Sequence, residues 1–266
     1  MPKHPFAMVP LPAGRSSKPR RSGLTMIVDQ GLPLAQQADL LRLAGEYADL
    51  AKIKTGTARL YPRAILVGKL KQYQRHRVQP FLGGQFHEYV FATQGGRALA
   101  GFYDEALRLG FAAIEISDNV VPLSSRERKA QIRAARSAGL VVYGEVGSKK
   151  TLSNPRLLVA QAEDCFAAGA ALVLVEAAEL VRKGRPNRRT LDLIVKNLDL
   201  RKIMIELPGP WIPEVRKCDI EVLKKLLVEE LGPDVNLANV VPEDLLDLEA
   251  TRVGLGVAGP PKSLLR

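Results

Sequence analysis

Four apolar runs in the middle of the chain, FAAIEIS, LVVYGEVG, ALVLVEAAE and KIMIELP, each carry a glutamate near their end. These are Glu115, Glu145, Glu176 and Glu206, spaced 30, 31 and 30 residues apart. Two further runs add candidates of the same kind, Asp29 in LTMIVDQG and Asn236 in VNLANV. Carboxylates gathered in one place raise one another's pKa and destabilise a fold unless a cation sits among them. Lys52 and Lys149 are the candidate internal cations. The alternative is a hard divalent ion. Mg²⁺ suits this set better than Zn²⁺, because the set offers oxygen ligands and neither cysteine nor histidine.

The elements that would gather these side chains follow from periodicity. Strand-like runs are expected at Leu24–Gly31, Ala48–Ile53, Val78–Gly84, in the four quoted stretches, and at Val235–Val240. Helical patterns alternate with them: Leu34–Tyr47, PRAILVGKLKQYQRH, Phe86–Leu109, Ser124–Ala138, Pro155–Ala168, Asn187–Asn197, Cys218–Leu231 and Pro242–Arg252. The strands are continuously apolar rather than alternating, as expected of a parallel sheet covered on both faces. Eight βα units in about 240 residues predict an α/β fold of the (β/α)₈ TIM-barrel type. No GxGxxG follows the first strand, which removes the main Rossmann signal. In such a barrel all strand C-termini meet on one face, so the acids are expected to converge there.

Composition sets the frame. The chain has 266 residues, 46% hydrophobic and 25% charged, enough for one large domain. A flexible basic arm is expected over residues 1–22, the barrel over 23–256 and a tail over 257–266. No apolar run approaches the ~20 residues needed to span a bilayer. Cys165 and Cys218 lack metal-ligand spacing and suggest reduced thiols, hence a cytoplasmic protein. The net charge of +11 favours small anionic partners, whereas nucleic acid is disfavoured because neither basic cluster (Lys18, Arg20 and Arg21, or RKGRPNRR) is interleaved with aromatics. Other residues read as structural: His87 and His76 as packing or surface, Trp211 as loop packing, and Glu127, Glu163, Glu229, Glu230 and Glu249 as helix-surface charges. The Gly83-Gly84 pair is either a tight turn or a backbone approach to phosphate.

The ordered stretches GLTMIVDQG, YADLAKIKTGTA, FLGGQFHEYVFATQG, LGFAAIEISDNVVPL, GEVGSKK, AGAALVLVEAAE and GPDVNLANVVPEDLLDLEATRVGL together resemble the phosphosulfolactate synthase family. The resemblance implies a Mg²⁺-dependent carbon–sulfur lyase that adds sulfite to phosphoenolpyruvate on one coenzyme M route. It implies Lys149 of EVGSKK as general acid, with Glu145 in the catalytic pair. Lys52, Gly83, Gly84, Ser117, Asn236 and Asn239 are the candidate substrate contacts, and Asp29, Glu115, Glu176 and Glu206 the candidate metal ligands, with Glu145 also open to a metal or water-network role. A homo-oligomer is also expected.

Several positions depart from the family pattern. The second strand continues as KIKTGTA, Ala178 in EAAEL stands where an arginine is expected, strand 7 ends ELPGP, NLAN carries Ala238 for glycine, and the tail reads GLG at Gly254–Gly256. Two lost arginine positions remove bidentate anion donors. A barrel enzyme acting on a different phosphorylated or enolisable acid is therefore the alternative reading. A non-catalytic stress-associated barrel is the third.

Overall fold

The computed structural model describes residues 4–11, 14–147, 154–176, 179–182, 185–209, 215–256 and 259. In chain order its principal elements are β1 (Thr25–Asp29), α1 (Leu34–Ala44), β2 (Leu50–Ile53), α2 (Arg63–Arg75), β3 (Gln79–Leu82), α3 (Gly84–Gln94), α4 (Leu99–Leu109), β4 (Ala113–Ile116), α5 (Ser125–Ser137), β5 (Val141–Val146), α6 (Pro155–Ala168) and β6 (Leu172–Val175). A short hairpin of β7 (Val181–Arg182) and β8 (Arg185–Pro186) follows, then α7 (Arg188–Asn197), β9 (Ile203–Glu206), α8 (Lys217–Leu231), β10 (Leu237–Val240) and α9 (Leu245–Arg252). Eight parallel strands close in the order β1-β10-β9-β6-β5-β4-β3-β2. The fold is the expected (β/α)₈ barrel.

Local chemistry explains the boundaries. Ser124 opens α5 with a capping box, its hydroxyl accepting from the Glu127 amide while the Glu127 carboxylate accepts from the Ser124 amide. Asn154 caps α6, whose first residue is Pro155. The single helix expected over Phe86–Leu109 is instead two, because Gly95 takes φ 77° and turns the chain between α3 and α4. The β7–β8 hairpin after β6 was not expected from the sequence.

Two apolar clusters lie on either side of the cylinder wall. The larger packs the helices onto the outside of the strands. The smaller fills the interior with Met26, Leu50, Phe81, Ala113, Tyr143, Leu172, Leu174, Met204 and Ala238, and Phe81 meets Tyr143 edge-on at 5.0 Å. Strand side chains alternate with period two. The next inward positions toward the strand C-termini are therefore Lys52 above Leu50, Glu115 above Ala113, Glu145 above Tyr143 and Glu206 above Met204. An apolar plug thus forms the floor of the mouth.

The basic N-terminal segment differs from the free arm expected. Arg15 donates to Glu249 Oε1 at 2.9 Å and to Asp234 Oδ1 at 3.1 Å. The Lys18 ammonium donates to the carbonyls of Gly45 and His76, each at 3.0 Å, and to that of Ala48. Arg20 pairs with Asp49 at 3.2 Å. These partners lie at the strand N-termini and helix C-termini, so the segment is bound across the underside of the barrel. Glu249 is correspondingly buried against Arg15 rather than a surface charge.

Candidate active site at the barrel mouth

Lys52 stands at the centre of the mouth. Its Nζ lies 2.7 Å from Glu115 Oε2, 3.4 Å from Glu206 Oε1 and 4.0 Å from Glu145 Oε2. All four residues are buried. A cavity of ≈ 330 Å³ opens above them, lined by Val28, Lys52, Lys54, Thr55, Gly83, Gly84, Gln85, Glu115, Glu145, Glu206 and Asn239. That volume suits a small-molecule ligand. A larger depression of ≈ 960 Å³ lies outside the cylinder, against α2, α3 and α4, and holds none of these acids. Converging charge, not size, marks the functional cavity.

The electrostatics follow from crowding. Burial alone would lower the Lys52 pKa, but Glu115, Glu206 and Glu145 outweigh it and hold the ammonium well above its ordinary 10.5. Burial pushes the Glu115 carboxyl up to about 8; Lys52 opposes the shift, and Glu145 and Glu206 add to it. The cluster therefore keeps its ammonium charged and retains a proton on Glu115 into the neutral range.

Backbone groups complete the cradle. Gly84, the first residue of α3, donates its amide to Glu115 Oε1 at 2.9 Å. A Cβ on Gly84 would come within 2.2 Å of Ser117 Oγ and 3.0 Å of Glu115 Oε1, so only glycine fits there. Thr55 and Asn239, both lining the cavity, hold φ of 50° and 59°. Left-handed backbone at a β-branched residue is a marked outlier, and such strain gathers at ligand sites.

The expected residues divide by parity and height along the strands. Lys52, Gly83, Gly84, Glu115, Glu145, Glu206 and Asn239 meet at the mouth. Asp29, expected as a metal ligand, does not join them. It has the outward parity of Ile27. One carboxylate oxygen accepts from Tyr73 Oη and Lys69 Nζ, both at 2.8 Å; the other accepts the Gly31 and Leu32 amides. Asn236, expected at the mouth, lies at the opposite end. It precedes β10, accepts from the Leu24 amide at 2.8 Å and donates to the carbonyls of Leu200, Arg201 and Ile203. Ser117, expected to touch substrate, is fully buried and donates to Glu88 instead. Glu176 is buried just past β6 against Gly147, outside the acidic triad. Lys149, Ala178 and Trp211 fall outside the described residues. His87 is structural, stacked on Tyr103 with Nε2 2.9 Å from its hydroxyl.

Sequence reading missed three residues of the cavity wall, Val28, Thr55 and Gln85, and two that brace it, Glu88 and Asn119. Val28 and Gln85 gave no signal beyond adjacency to Asp29 and Gly84.

One carboxylate oxygen from each of Glu115, Glu145 and Glu206 can be chosen so that all lie within 4.8 Å of one another. Ligands on one octahedral Mg²⁺ at about 2.0–2.1 Å stand roughly 3–4 Å apart. The three acids therefore offer one oxygen each to a hard divalent cation, at the place the Lys52 ammonium holds here.

Fold and mouth together define a class: a (β/α)₈ barrel with a buried lysine–carboxylate cluster under a small cavity at the strand C-termini. The pattern of the (2R)-phospho-3-sulfolactate synthase (ComA) family matches residues 13–257. The phosphosulfolactate synthase of Methanothermobacter thermautotrophicus is 30% identical over 253 residues, covering 91% of this chain and 92% of that protein. The phosphosulfolactate synthase of Bacillus subtilis is 30% identical over 254 residues, covering 91% and 93%. HEAT-STRESS-ASSOCIATED 32 of Arabidopsis thaliana is 23% identical, covering 90% and 88%. Among solved structures, a 3-hexulose-6-phosphate synthase superposes with TM-score 0.54 at 14% identity, covering 86% of this chain and 99% of that one. The chain belongs to the phosphosulfolactate synthase family.

Proposed function

We propose that this protein is a Mg²⁺-dependent lyase that adds sulfite to phosphoenolpyruvate to give phosphosulfolactate. The observation that carries the reading is Lys52 held among Glu115, Glu145 and Glu206 at the floor of a ≈ 330 Å³ cavity, in a chain of this family. Lys52 and Lys54 supply positive charge to the described lining, and the N-terminus of α3 at Gly84 faces the same space. They would receive the phosphate and carboxylate of the substrate.

The bond changes are simple. The sulfite sulfur attacks the methylene carbon, the C–C double bond moves onto the adjacent carbon and carboxylate, and that carbon then takes a proton. Lys149 is the proposed proton donor. A lysine near carboxylates can be tuned for this by charge and burial acting in opposite senses. Glu115, Glu145 and Glu206 would hold the Mg²⁺, which when bound supplies Lewis-acid stabilisation of charge developing on the substrate carboxylate. Lys52, whose ammonium the ion would displace from the three acids, would then pair with the substrate anion above them.

The test is direct: purified protein, Mg²⁺, sulfite and phosphoenolpyruvate, followed by ³¹P NMR. A new phosphomonoester resonance that requires all three additions is expected. Its absence with folded, metal-loaded protein would overturn the substrate assignment. A different phosphorylated acid is the second reading, favoured by Ala178 and Gly256 where arginines are expected. Thermal-shift screening of three- and four-carbon phosphorylated acids separates the two. The free thiols of Cys165 and Cys218 fit a cytoplasmic setting.

A further inference from the structure

Glu88 lies in the second turn of α3, 2% exposed, and does not line the cavity. Its carboxylate accepts from the Ser117 hydroxyl, from the Asn119 amide at 3.2 Å, and from the Val120 and Val121 amides, each at 2.7 Å. That is an unusual commitment for one buried carboxylate. Four donors from a five-residue span of the β4–α5 loop converge on a single side chain. Such loops usually satisfy their amides with water or with their own polar side chains.

What the loop carries explains the grip. The Asn119 side-chain amide donates to Glu145 Oε1 at 2.6 Å, which leaves Oε2 of the same carboxylate on the Lys52 side, 4.0 Å from Nζ. The helix that carries Glu88 also begins at Gly84, whose amide holds Glu115 Oε1. One rigid helix therefore fixes Glu115 through its first amide and Glu145 through Glu88 and Asn119. Gly84 is packed against Ser117 with no room for a Cβ, so helix and loop cannot slide past each other.

We infer that Glu88 is a positioning residue. Through Asn119 it sets which oxygen of Glu145 faces the cavity and how far Glu145 stands from Glu115. The inference rests on the proposed role of the acidic triad as a metal site. Outer partners that orient metal-binding carboxylates typically change affinity by 10–100-fold when removed.

The test uses four full-length proteins, wild type, Glu88→Gln, Asn119→Ala and the double variant, with Mn²⁺ alone as the probe in calorimetric titration. Glu88→Gln keeps the size of the side chain but places an amide against loop donors. Expected is a 10–100-fold weaker Mn²⁺ affinity for Glu88→Gln, a similar loss for Asn119→Ala, and little further loss in the double variant. Melting temperatures of the same proteins separate a merely structural role, which would lower stability equally in both Asn119 backgrounds without moving affinity. Unchanged Mn²⁺ affinity in Glu88→Gln, or a loss of equal size with and without Asn119, overturns the inference. If the wild type binds no Mn²⁺, the metal reading fails instead. The positioning role is then judged from the rate at which Lys52 reacts with an amine-acylating reagent. Equal acceleration by Glu88→Gln and Asn119→Ala supports the role, and an unchanged rate for Glu88→Gln overturns it.

Discussion

Replacing Lys52 by methionine removes the ammonium from the centre of three buried carboxylates while keeping most of the side-chain volume. At an effective dielectric of about 20, contacts of 2.7, 3.4 and 4.0 Å correspond to roughly 6, 5 and 4 kcal/mol of attraction. Desolvation and repulsion among the acids cancel much of this, and removing one partner of a buried pair typically costs about 3–5 kcal/mol. For a chain of this size, each kcal/mol shifts Tm by about 2–4 °C, so Lys52→Met is expected to melt roughly 6–20 °C lower at pH 8. The loss should shrink on acidification. Glu115 has its folded pKa raised to about 8 from 4.5, so the stability gained from its bound proton is complete below 4.5 and is lost as pH rises through 8. At pH 5 the acids of the variant can protonate and relieve their own repulsion. A divalent cation should stabilise the variant more than the wild type, because it meets three acids with no ammonium to displace; saturation to 100 times Kd contributes about 2.7 kcal/mol. Differential scanning calorimetry at pH 5 and pH 8, with and without Mg²⁺, reads all of this. A Tm loss under about 2 °C, or one equal at both pH values, would show that the acids do not depend on Lys52.

Other perturbations test separate parts of the molecule. Lys149→Ala should abolish turnover while circular dichroism and Tm stay near wild type; retained turnover would remove this lysine from the chemistry. Gly84→Ala forces a Cβ within 2.2 Å of Ser117 Oγ, and overpacking of that kind costs about 1–3 kcal/mol, readable as a lower denaturation midpoint. Burial lowers the His87 pKa to about 4 from 6.5, so its neutral form contributes stability that is complete above 6.5 and lost as pH falls toward 4. The slope of ΔG against pH in that window, up to about 1.4 kcal/mol per unit, should flatten in His87→Phe. Arg15→Ala leaves Asp234 and Glu249 without their shared guanidinium and should cost roughly 2–4 kcal/mol in urea unfolding, with little change in turnover.

The barrel was readable because its strands are uninterrupted apolar runs at a βα repeat, and the phase of Glu115, Glu145 and Glu206 with that repeat placed them together. The failures came at the level of single residues. Asp29 ends its strand as the glutamates end theirs, yet a shift of one position turns a side chain from the interior to the helix layer, and Lys69 and Tyr73 claim it there. Asn236 sits before its strand rather than after it, so it serves the underside. Neither distinction is visible without the register between neighbouring strands. Glu88 and Asn119 were invisible for another reason. Their importance lies in contacts some 30 residues apart, and no local periodicity reports such contacts. Glu249 was misread because a charged residue on an amphipathic helix normally faces water, and only the docked Arg15 changes that.

The clamp under the barrel has a consequence for biosynthesis. Arg15 leaves the ribosome early, whereas Asp234 and Glu249 follow 219 and 234 residues later. At about 5–20 residues per second, the guanidinium waits roughly 10–50 s for its acceptors. The first strand waits in the same way for β10, the neighbour that seals the cylinder. Chain termination ahead of β10 would leave a cationic segment without its Glu249 acceptor beside unsealed strand edges, a form suited to capture by chaperones. Synthesis of β10 and α9 therefore both seals the cylinder and supplies the acceptor that locks its underside.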